Sequence, residues 1–169
     1  MKKVFSLVGF SFAFVTMFPK TSMTASSTEA EGFASVSIVE QVSIESERDM
    51  DFGTLISPGY AGDFVLPNTE NALVSCAPNW VCNGNPASGK FKILSNSQSV
   101  NVNYSDGVLS DGLGHTLDIK VNGDKEVTIK NGEGILYVGA TLSVTYGSPA
   151  GDYSTSNAGG TPYKVIVDY

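Results

Sequence analysis

The chain has 169 residues, of which 41% are hydrophobic and 10% aromatic, so it is long enough for the core of one domain and short for two. It carries 17 acidic and 10 basic residues, which gives a formal net charge of −7. The basic residues form no cluster along the sequence, and this excludes nucleic acid as an expected partner.

An export signal is predicted at the N-terminus. Two lysines lie among the first three residues, an apolar run from Val4 to Phe18 follows, and small residues come next. This order is typical of a secretory signal peptide, here residues 1–25, with cleavage after Ala25 or Ala30. A membrane anchor is the alternative, but the run is short for crossing a bilayer. We therefore expect a mature chain without an integral membrane span, in the periplasm, at the cell surface or in an extracellular filament.

Alternation of apolar and polar residues begins soon after the predicted signal. The apolar residues at even positions are Ala34, Val36, Ile38, Val42 and Ile44. A period of two predicts extended strands, and the interruption at Glu40 favours two short strands over one long strand. We assign residues 26–40 to an N-terminal extension or donor strand and residues 41–169 to a β-sandwich domain. Residues 45–49 are predicted to form a solvated turn.

Short strand patterns separated by turn residues continue to the C-terminus. They cover residues 50–56, 63–66, 72–75, 90–94, 99–104, 115–121, 124–130, 134–138, 140–146 and 163–169. Asn122 and Gly123 predict a type I′ turn that joins two of these strands in a hairpin, and residues 105–114 are predicted as a loop. No window after the signal has a helical period, so the predicted fold class is all-β, an antiparallel β-sandwich.

The last strand pattern is the most regular one. Its apolar face consists of Tyr163, Val165, Val167 and Tyr169, and the other face carries Lys164, Ile166 and Asp168. Strict alternation of β-branched and aromatic residues with polar ones is typical of a half-buried strand. We expect this strand to close the sandwich.

Two cysteines, Cys76 and Cys82, bracket a short polar loop. In an oxidising compartment an even pair at this spacing predicts a disulfide bond. A structural metal site needs three or four ligands, and the single histidine, His115, lies far along the chain. Free thiols and a metal site are the alternatives, and we expect neither a metal nor a cofactor.

Three other patterns suggest chemistry, and each has a simpler interpretation. Residues 84–90 match the start of a phosphate-binding loop, but Phe91 stands where a hydroxyl would bind Mg²⁺ and a strand pattern follows. Acidic residues at positions 106, 111, 118 and 124 lack the spacing of a Ca²⁺-binding loop, so turn chemistry explains them. His115 has no nucleophile pattern beside it. We expect no enzyme activity.

Trp80 lies inside the cysteine loop, close to three asparagines. An aromatic ring flanked by amide groups is a candidate platform for a sugar, and it is the basis of a carbohydrate-binding hypothesis. Burial of the ring against the sandwich, which would anchor the loop, is the alternative that we favour.

Several stretches, taken in order, carry a resemblance to a known family. They are Asp49–Thr54, Lys90–Ile93, Leu136–Val144, Ala150–Ser154 and Val165–Tyr169. Together they resemble a family of bacterial secreted, pilin-like domains of unknown function, allied to archaic chaperone–usher pilins and spore-coat-U-like proteins. The resemblance implies an immunoglobulin-like sandwich whose N-terminal extension serves as a strand, in its own domain or in the next subunit.

On this basis we expect a structural subunit of an extracellular or surface filament, a fimbria, that assembles by β-strand complementation. Its implied partners are copies of itself or related subunits, together with a periplasmic chaperone and an outer-membrane usher if that system is used. The expected interaction residues are Ala34, Val36, Ile38 and Val42 of the extension and Tyr163, Val165, Val167 and Tyr169 of the closing strand. The alternatives are a stand-alone secreted sandwich that uses its own N-terminal strand, and a carbohydrate-binding module.

Overall fold

The computed structural model describes residues 29–38 and 41–169. The predicted signal peptide lies outside the described residues, and so does part of the predicted extension. The chain divides into two units, residues 1–37 and residues 38–169. The described residues of the first unit form neither helix nor strand, and every strand described below belongs to the second unit.

The described residues contain eleven strands and no helix. The strands are β1 (Val42–Arg48), β2 (Thr54–Ile56), β3 (Gly62–Leu66), β4 (Val81–Asn83), β5 (Gly89–Ser95), β6 (Ser99–Ser105), β7 (Gly107–Ser110), β8 (Thr116–Gly123), β9 (Glu126–Thr128), β10 (Glu133–Val144) and β11 (Lys164–Asp168). Accordingly, this part of the chain has no helix that could cross a membrane. The predicted all-β class is confirmed.

The strands pair antiparallel and form three sheets. The largest sheet has the order β1-β5-β10-β8-β7, with β3 also paired to β10. The second sheet has the order β11-β6-β9, and β2 pairs with β4 in a small third sheet. The long strand β10 is central because its first half pairs with β5 and its second half pairs with both β3 and β8. The architecture is an antiparallel β-sandwich, as predicted.

One half of the hydrophobic core lies between the largest sheet and the second sheet, and we call it the sheet core. It consists of Ile93, Val100, Val102, Val127, Ile129, Leu136 and Val138, each at most 9% exposed. Within the strands these residues alternate with more exposed ones, because successive side chains of a strand point to opposite faces. Most of them are β-branched, and such side chains pack well on a pleated surface.

The other half of the core packs on β3, β8 and the end of β10, and we call it the loop-capped core. It consists of Phe64, Ala77, Trp80, Leu117, Ile119, Ala140 and Leu142. Ala77 and Trp80 come from the cysteine loop, and Leu55 and Cys82 of the small third sheet pack against them. Three half-buried side chains contact both halves of the core: Met50, Val121 and Tyr163.

The predicted hairpin at Asn122 and Gly123 is wrong. Both residues lie inside β8, which pairs with β7 and β10, whereas β9 pairs with β6 in the other sheet. Gly123 serves a close approach instead of a turn, because a Cβ at this position would collide with the hydroxyl of Tyr104.

The type I′ geometry occurs at a later Asn-Gly pair of the sequence. Asn131 and Gly132 have φ angles of 54° and 84°, as this turn requires. On either side of them, Lys130 and Glu133 exchange backbone hydrogen bonds of 2.8 and 3.1 Å. This turn leads from β9 of the second sheet into β10 of the largest sheet, and it therefore connects the two layers of the sandwich.

Strand boundaries near the N-terminus also differ from the prediction. Residues 33–38 form no strand, and residues 45–48, predicted as a turn, continue β1. The outer face of β1 is acidic, and Glu47 forms an ion pair of 2.7 Å with Lys90 of β5. The charged face obscures the strand pattern in the sequence, because an antiparallel strand needs only one apolar face.

Two more segments differ. Residues 107–110 lie in the predicted loop but form β7, which pairs with β8 and is bridged to Ser154 and Thr161. Residues 72–75 were expected to form a strand and supply a single bridge, from Ser75 to Val65. Strand β7 is bridged to residues more than 40 positions away in the sequence, and a local sequence pattern does not reveal such partners.

Candidate functional site

The N-terminal segment presents apolar side chains to solvent. Residues 29–38 form no strand, and Phe33, Val36 and Ile38 are 97%, 84% and 89% exposed. Ala34, also predicted to mediate subunit contacts, is exposed as well. Monomeric proteins rarely leave several large apolar side chains together in water without a function. We call residues 32–38 the apolar segment.

The second part of the alternating stretch, from Val42 onward, belongs to the sandwich domain itself. Val42 and Ile44 lie on β1, pair with Ser95 and Ile93 of β5, and pack against the sheet core. The predicted interaction residue Val42 is therefore part of this domain's own sandwich, whereas the segment up to Ile38 is not paired.

Arg48 holds the end of β1 in place. Its Nε donates a hydrogen bond of 3.0 Å to the carbonyl oxygen of Ser88, and its Nη2 lies 3.3 Å from the Ser88 hydroxyl oxygen. The buried Ser88 hydroxyl in turn donates to the carbonyl oxygen of Thr69 at 2.6 Å. Charge-assisted hydrogen bonds of this kind are stronger than neutral ones, so β1 is firmly joined to β5 and to the preceding loop.

The closing strand β11 has one paired edge. It pairs with β6, and among the described strands nothing pairs with its other edge. Tyr163, Val165 and Val167 are half-buried against the sheet core, whereas Tyr169 is 51% exposed. The predicted apolar face is thus the inner face of the strand, and what remains open is the backbone edge.

Two tyrosines near this face are buried enough to resist ionisation. Burial, together with the charge of Asp49, raises the pKa of Tyr163 to about 12. Burial and the charge of Asp124 raise the pKa of Tyr104 to about 12. The Tyr104 hydroxyl donates to the carbonyl oxygen of Asp124 at 2.5 Å, and Lys125 lies over its ring at 5.1 Å. Both tyrosines therefore serve packing.

The predicted disulfide bond between Cys76 and Cys82 is confirmed, with a Cα–Cα distance of 6.0 Å. Trp80 in the closed loop is only 8% exposed, and its ring packs edge-on against Phe64 with centroids 4.8 Å apart. A sugar-stacking tryptophan would present an open face, so the geometry favours the anchoring role. The disulfide and Trp80 together hold the loop over the loop-capped core.

A cavity of about 670 Å³ opens beside the loop-capped core. Residues 50–57, which include β2, line one part of it, and residues 148–153 line another. The core contributes Trp80, Leu109, Leu117, Leu142 and Val144. The charged groups of the lining are both acidic, Asp51 and Asp152. We call this space the side cavity.

Sequence reasoning missed the side cavity. The signal that could have revealed it is the stretch Met50–Ile56, where Phe52 and Leu55 fall on opposite parities of the strand pattern. A short strand with apolar residues on both faces needs cover on both sides. In the structure Phe52 and Leu55 both pack against the loop-capped core, and both also line the side cavity.

The other predicted candidates show no catalytic or metal geometry. Lys90 of the phosphate-loop-like stretch lies on β5 and pairs with Glu47. Asp111 accepts a hydrogen bond of 2.5 Å from the His115 ring and 2.7 Å from the Leu113 backbone, and these hydrogen bonds outweigh desolvation and lower its pKa. Asp106 accepts from the backbone of Val121. Over the described ranges no cluster of three metal-ligating side chains occurs.

These features define the class of the protein: an antiparallel, disulfide-bonded β-sandwich preceded by an exposed apolar segment. Over residues 42–169 the chain matches the model of a family described as a domain of unknown function, DUF4402, and it belongs to that family. The match begins at the first residue of β1, so the apolar segment precedes the family domain. No curated protein and no solved structure matches the chain.

Proposed function

We propose that the protein is a pilin-like structural subunit of an extracellular or surface filament, assembled when the apolar segment of one copy adds as a strand to the next. The observation that carries the proposal is the contrast within one alternating stretch. Val42 and Ile44 already complete the domain's own sheet, while Phe33, Val36 and Ile38 are exposed. A stand-alone sandwich would have no use for this second apolar set.

Burial of the apolar side chains and pairing of the backbone must both contribute to assembly. Full burial of one Val, Ile or Phe side chain is worth roughly 1.5–3 kcal/mol, and an added strand also pairs backbone groups along an open edge. The cost of ordering a segment of seven residues, roughly 1–2 kcal/mol per residue, offsets much of this gain. The balance favours an extended, strand-like contact over isolated side-chain contacts.

The disulfide supports a location outside the cytoplasm, because such bonds persist in oxidising compartments. Together with the predicted signal peptide, it supports export to the periplasm, cell surface or extracellular space. A subunit with an exposed apolar segment needs protection before assembly, and this is the basis for proposing a periplasmic chaperone and an outer-membrane usher as partners. The proposed role is structural, without enzyme activity.

The test compares two double substitutions in the apolar segment. Val36→Lys with Ile38→Lys places charges on the proposed buried face, and Ser35→Lys with Ser37→Lys places the same charges on the other face. All four side chains are exposed, so neither variant strains the folded domain. Filaments in material sheared from the producing cells, viewed by negative-stain microscopy, should disappear with the first variant and persist with the second.

If both variants form the same filaments, the apolar segment is not the linker. If the unaltered protein remains monomeric in cells and at high concentration, the filament proposal fails and a stand-alone secreted sandwich becomes the better description.

A further inference from the structure

We infer that the side cavity, with the open edge of β2, is the acceptor for the apolar segment of a second copy of this chain. The inference rests on the proposed function and names the receiving site. The acceptor inferred here therefore lies outside the closing strand β11, none of whose residues line the side cavity.

The side cavity offers both elements that an incoming strand needs. Thr54, Leu55 and Ile56 of β2 all line it, and β2 pairs on one edge with β4 and with no other described strand. Backbone groups on its second edge can therefore pair with an added strand. The lining also includes Leu109 and Val144, which are only partly buried and provide an apolar surface for alternate side chains of that strand.

The size of the side cavity also indicates an occupant. Its volume of about 670 Å³ is many times the share of one water molecule in the liquid, roughly 30 Å³. Water in this space would hydrate the exposed parts of Leu109 and Val144, which otherwise pack against the loop-capped core. An apolar strand would remove that surface from water, which is the main driving force of association.

Chain length favours the side cavity of a second copy over that of the same chain. The seven residues of β1 span about 20 Å at roughly 3.3 Å per residue. The side cavity begins at Met50, just beyond the far end of β1. Ile38 precedes β1 by four residues, which reach at most about 14 Å when fully extended. A fold back along β1 would need about 20 Å of chain where about 14 Å is available, so we place the segment in the cavity of a second copy, which has no such restriction.

Charge gives a further expectation. The apolar segment itself has no charged residue, but Glu29 and Glu31 precede it. The side cavity has Asp51 and Asp152 in its lining and no basic residue. Like charges repel, and salt screens this repulsion over a length of about 10 Å at 0.1 M. Association through this site should therefore strengthen as salt concentration rises.

The competing acceptor is the open edge of β11. That edge offers backbone groups, but the inner side chains Val165 and Val167 already pack on the sheet core of their own domain. An added strand there would gain less apolar burial than in the side cavity. The experiment distinguishes the two acceptors directly.

The first measurement uses the full mature chain and a substitution that fills the side cavity. Ala150 lines the cavity and is exposed, so Ala150→Trp should block entry without disturbing the core. Ala158→Trp is the matched control, an exposed alanine outside the cavity lining. Sedimentation velocity should show self-association weakened about tenfold or more by Ala150→Trp, since burial of one Val or Ile is worth at least that factor. The control should leave it unchanged.

The second measurement locates the contact by engineered cysteines. Ser37→Cys with Ser57→Cys places one thiol on the apolar segment and one at the side cavity, and Ser37→Cys with Asp168→Cys tests β11 instead. A disulfide forms only when the two Cα atoms approach within about 7 Å. Mild oxidation should link copies into a covalent ladder in the first variant and not in the second.

A ladder only in the β11 variant, with association unaffected by Ala150→Trp, would overturn the inference and leave the filament proposal standing. Absence of self-association in the unaltered chain would overturn both.

Discussion

The two halves of the core are built differently. The sheet core lies between two sheets, and its seven buried side chains come from β5, β6, β9, β10 and the turn after β9. The loop-capped core has the largest sheet on one side only, and on the other it is covered by a disulfide-bonded loop, by the short strands β2 and β4, and by the side cavity. One half is thus closed by regular strand pairing, whereas the other depends on a covalent bond and a single tryptophan.

This difference between the two halves of the core indicates where the fold has apolar space for a partner. A sheet face pairs its backbone groups internally, and its side chains pack to the density of a crystal. A loop that covers a core forms fewer backbone hydrogen bonds than a sheet does, and it leaves gaps between its side chains and the core. The apolar space that could receive a partner therefore lies next to the loop-capped core, and stability should be concentrated in the sheet core.

The largest effect is expected from truncating a leucine in each half. Leu136 of the sheet core is 1% exposed, and Leu136→Ala should lower the free energy of unfolding by about 2–5 kcal/mol, because it creates a closed cavity. Leu55→Ala, at the wall of the side cavity, should cost only about 1 kcal/mol, because the added space joins an existing opening. Urea denaturation of both variants measures the difference. Equal losses would show that the two halves are equally well packed.

The disulfide should contribute less than a buried leucine. Replacing Cys76 and Cys82 together by serine should lower the free energy of unfolding by about 2 kcal/mol, since the closed loop is small. Hydrogen exchange should show the loss in β3 and β8, next to the loop-capped core, with β6 of the sheet core still protected. Uniform loss of protection would mean that the two halves unfold as one unit.

Trp80→Phe should have a smaller effect still. The Trp80 indole nitrogen is buried and has no hydrogen-bond partner among the described residues. Substitution removes this unsatisfied donor, a gain of about 1–3 kcal/mol, and loses the packing of one ring, a cost of similar size. The net change should lie within about 1 kcal/mol. A loss above about 3 kcal/mol would show that the nitrogen has a bound partner, such as an ordered water.

Much of the sheet core could be predicted from the sequence, and the loop-capped core could not. Alternation at Val100 and Val102, and at Tyr163, Val165 and Val167, correctly indicated inner faces. The period of a strand reports which side chains share a face, and it does not report which strand lies beside it. For that reason the hairpin at Asn122 was placed wrongly even though the strands around it were predicted.

The candidate site was only half visible in the sequence. The apolar segment was found because its residues are contiguous, although its expected strand structure is absent. The side cavity was missed because its lining comes from residues 50–57, 109, 117, 142 and 148–153, which only the fold brings together. The disulfide was predicted correctly because it depends on a spacing within one loop.

At neutral pH no effect is expected from ionisation of Tyr163, which contacts both halves of the core, and its contribution is visible only at alkaline pH. Burial raises the pKa of Tyr163 from 10.0 to about 12. Between these values the unfolded chain has lost the hydroxyl proton and the folded chain retains it, so the free energy of unfolding falls as pH rises. Below about pH 10 both states hold the proton, and this group adds no pH dependence. Tyr163→Phe should therefore flatten the decline above pH 10 in urea midpoints, whereas Tyr60→Phe, at an exposed ring, should not. Identical slopes in the three proteins would mean that Tyr163 ionises as readily in the folded chain as in the unfolded one, and that the boundary between the two halves admits water.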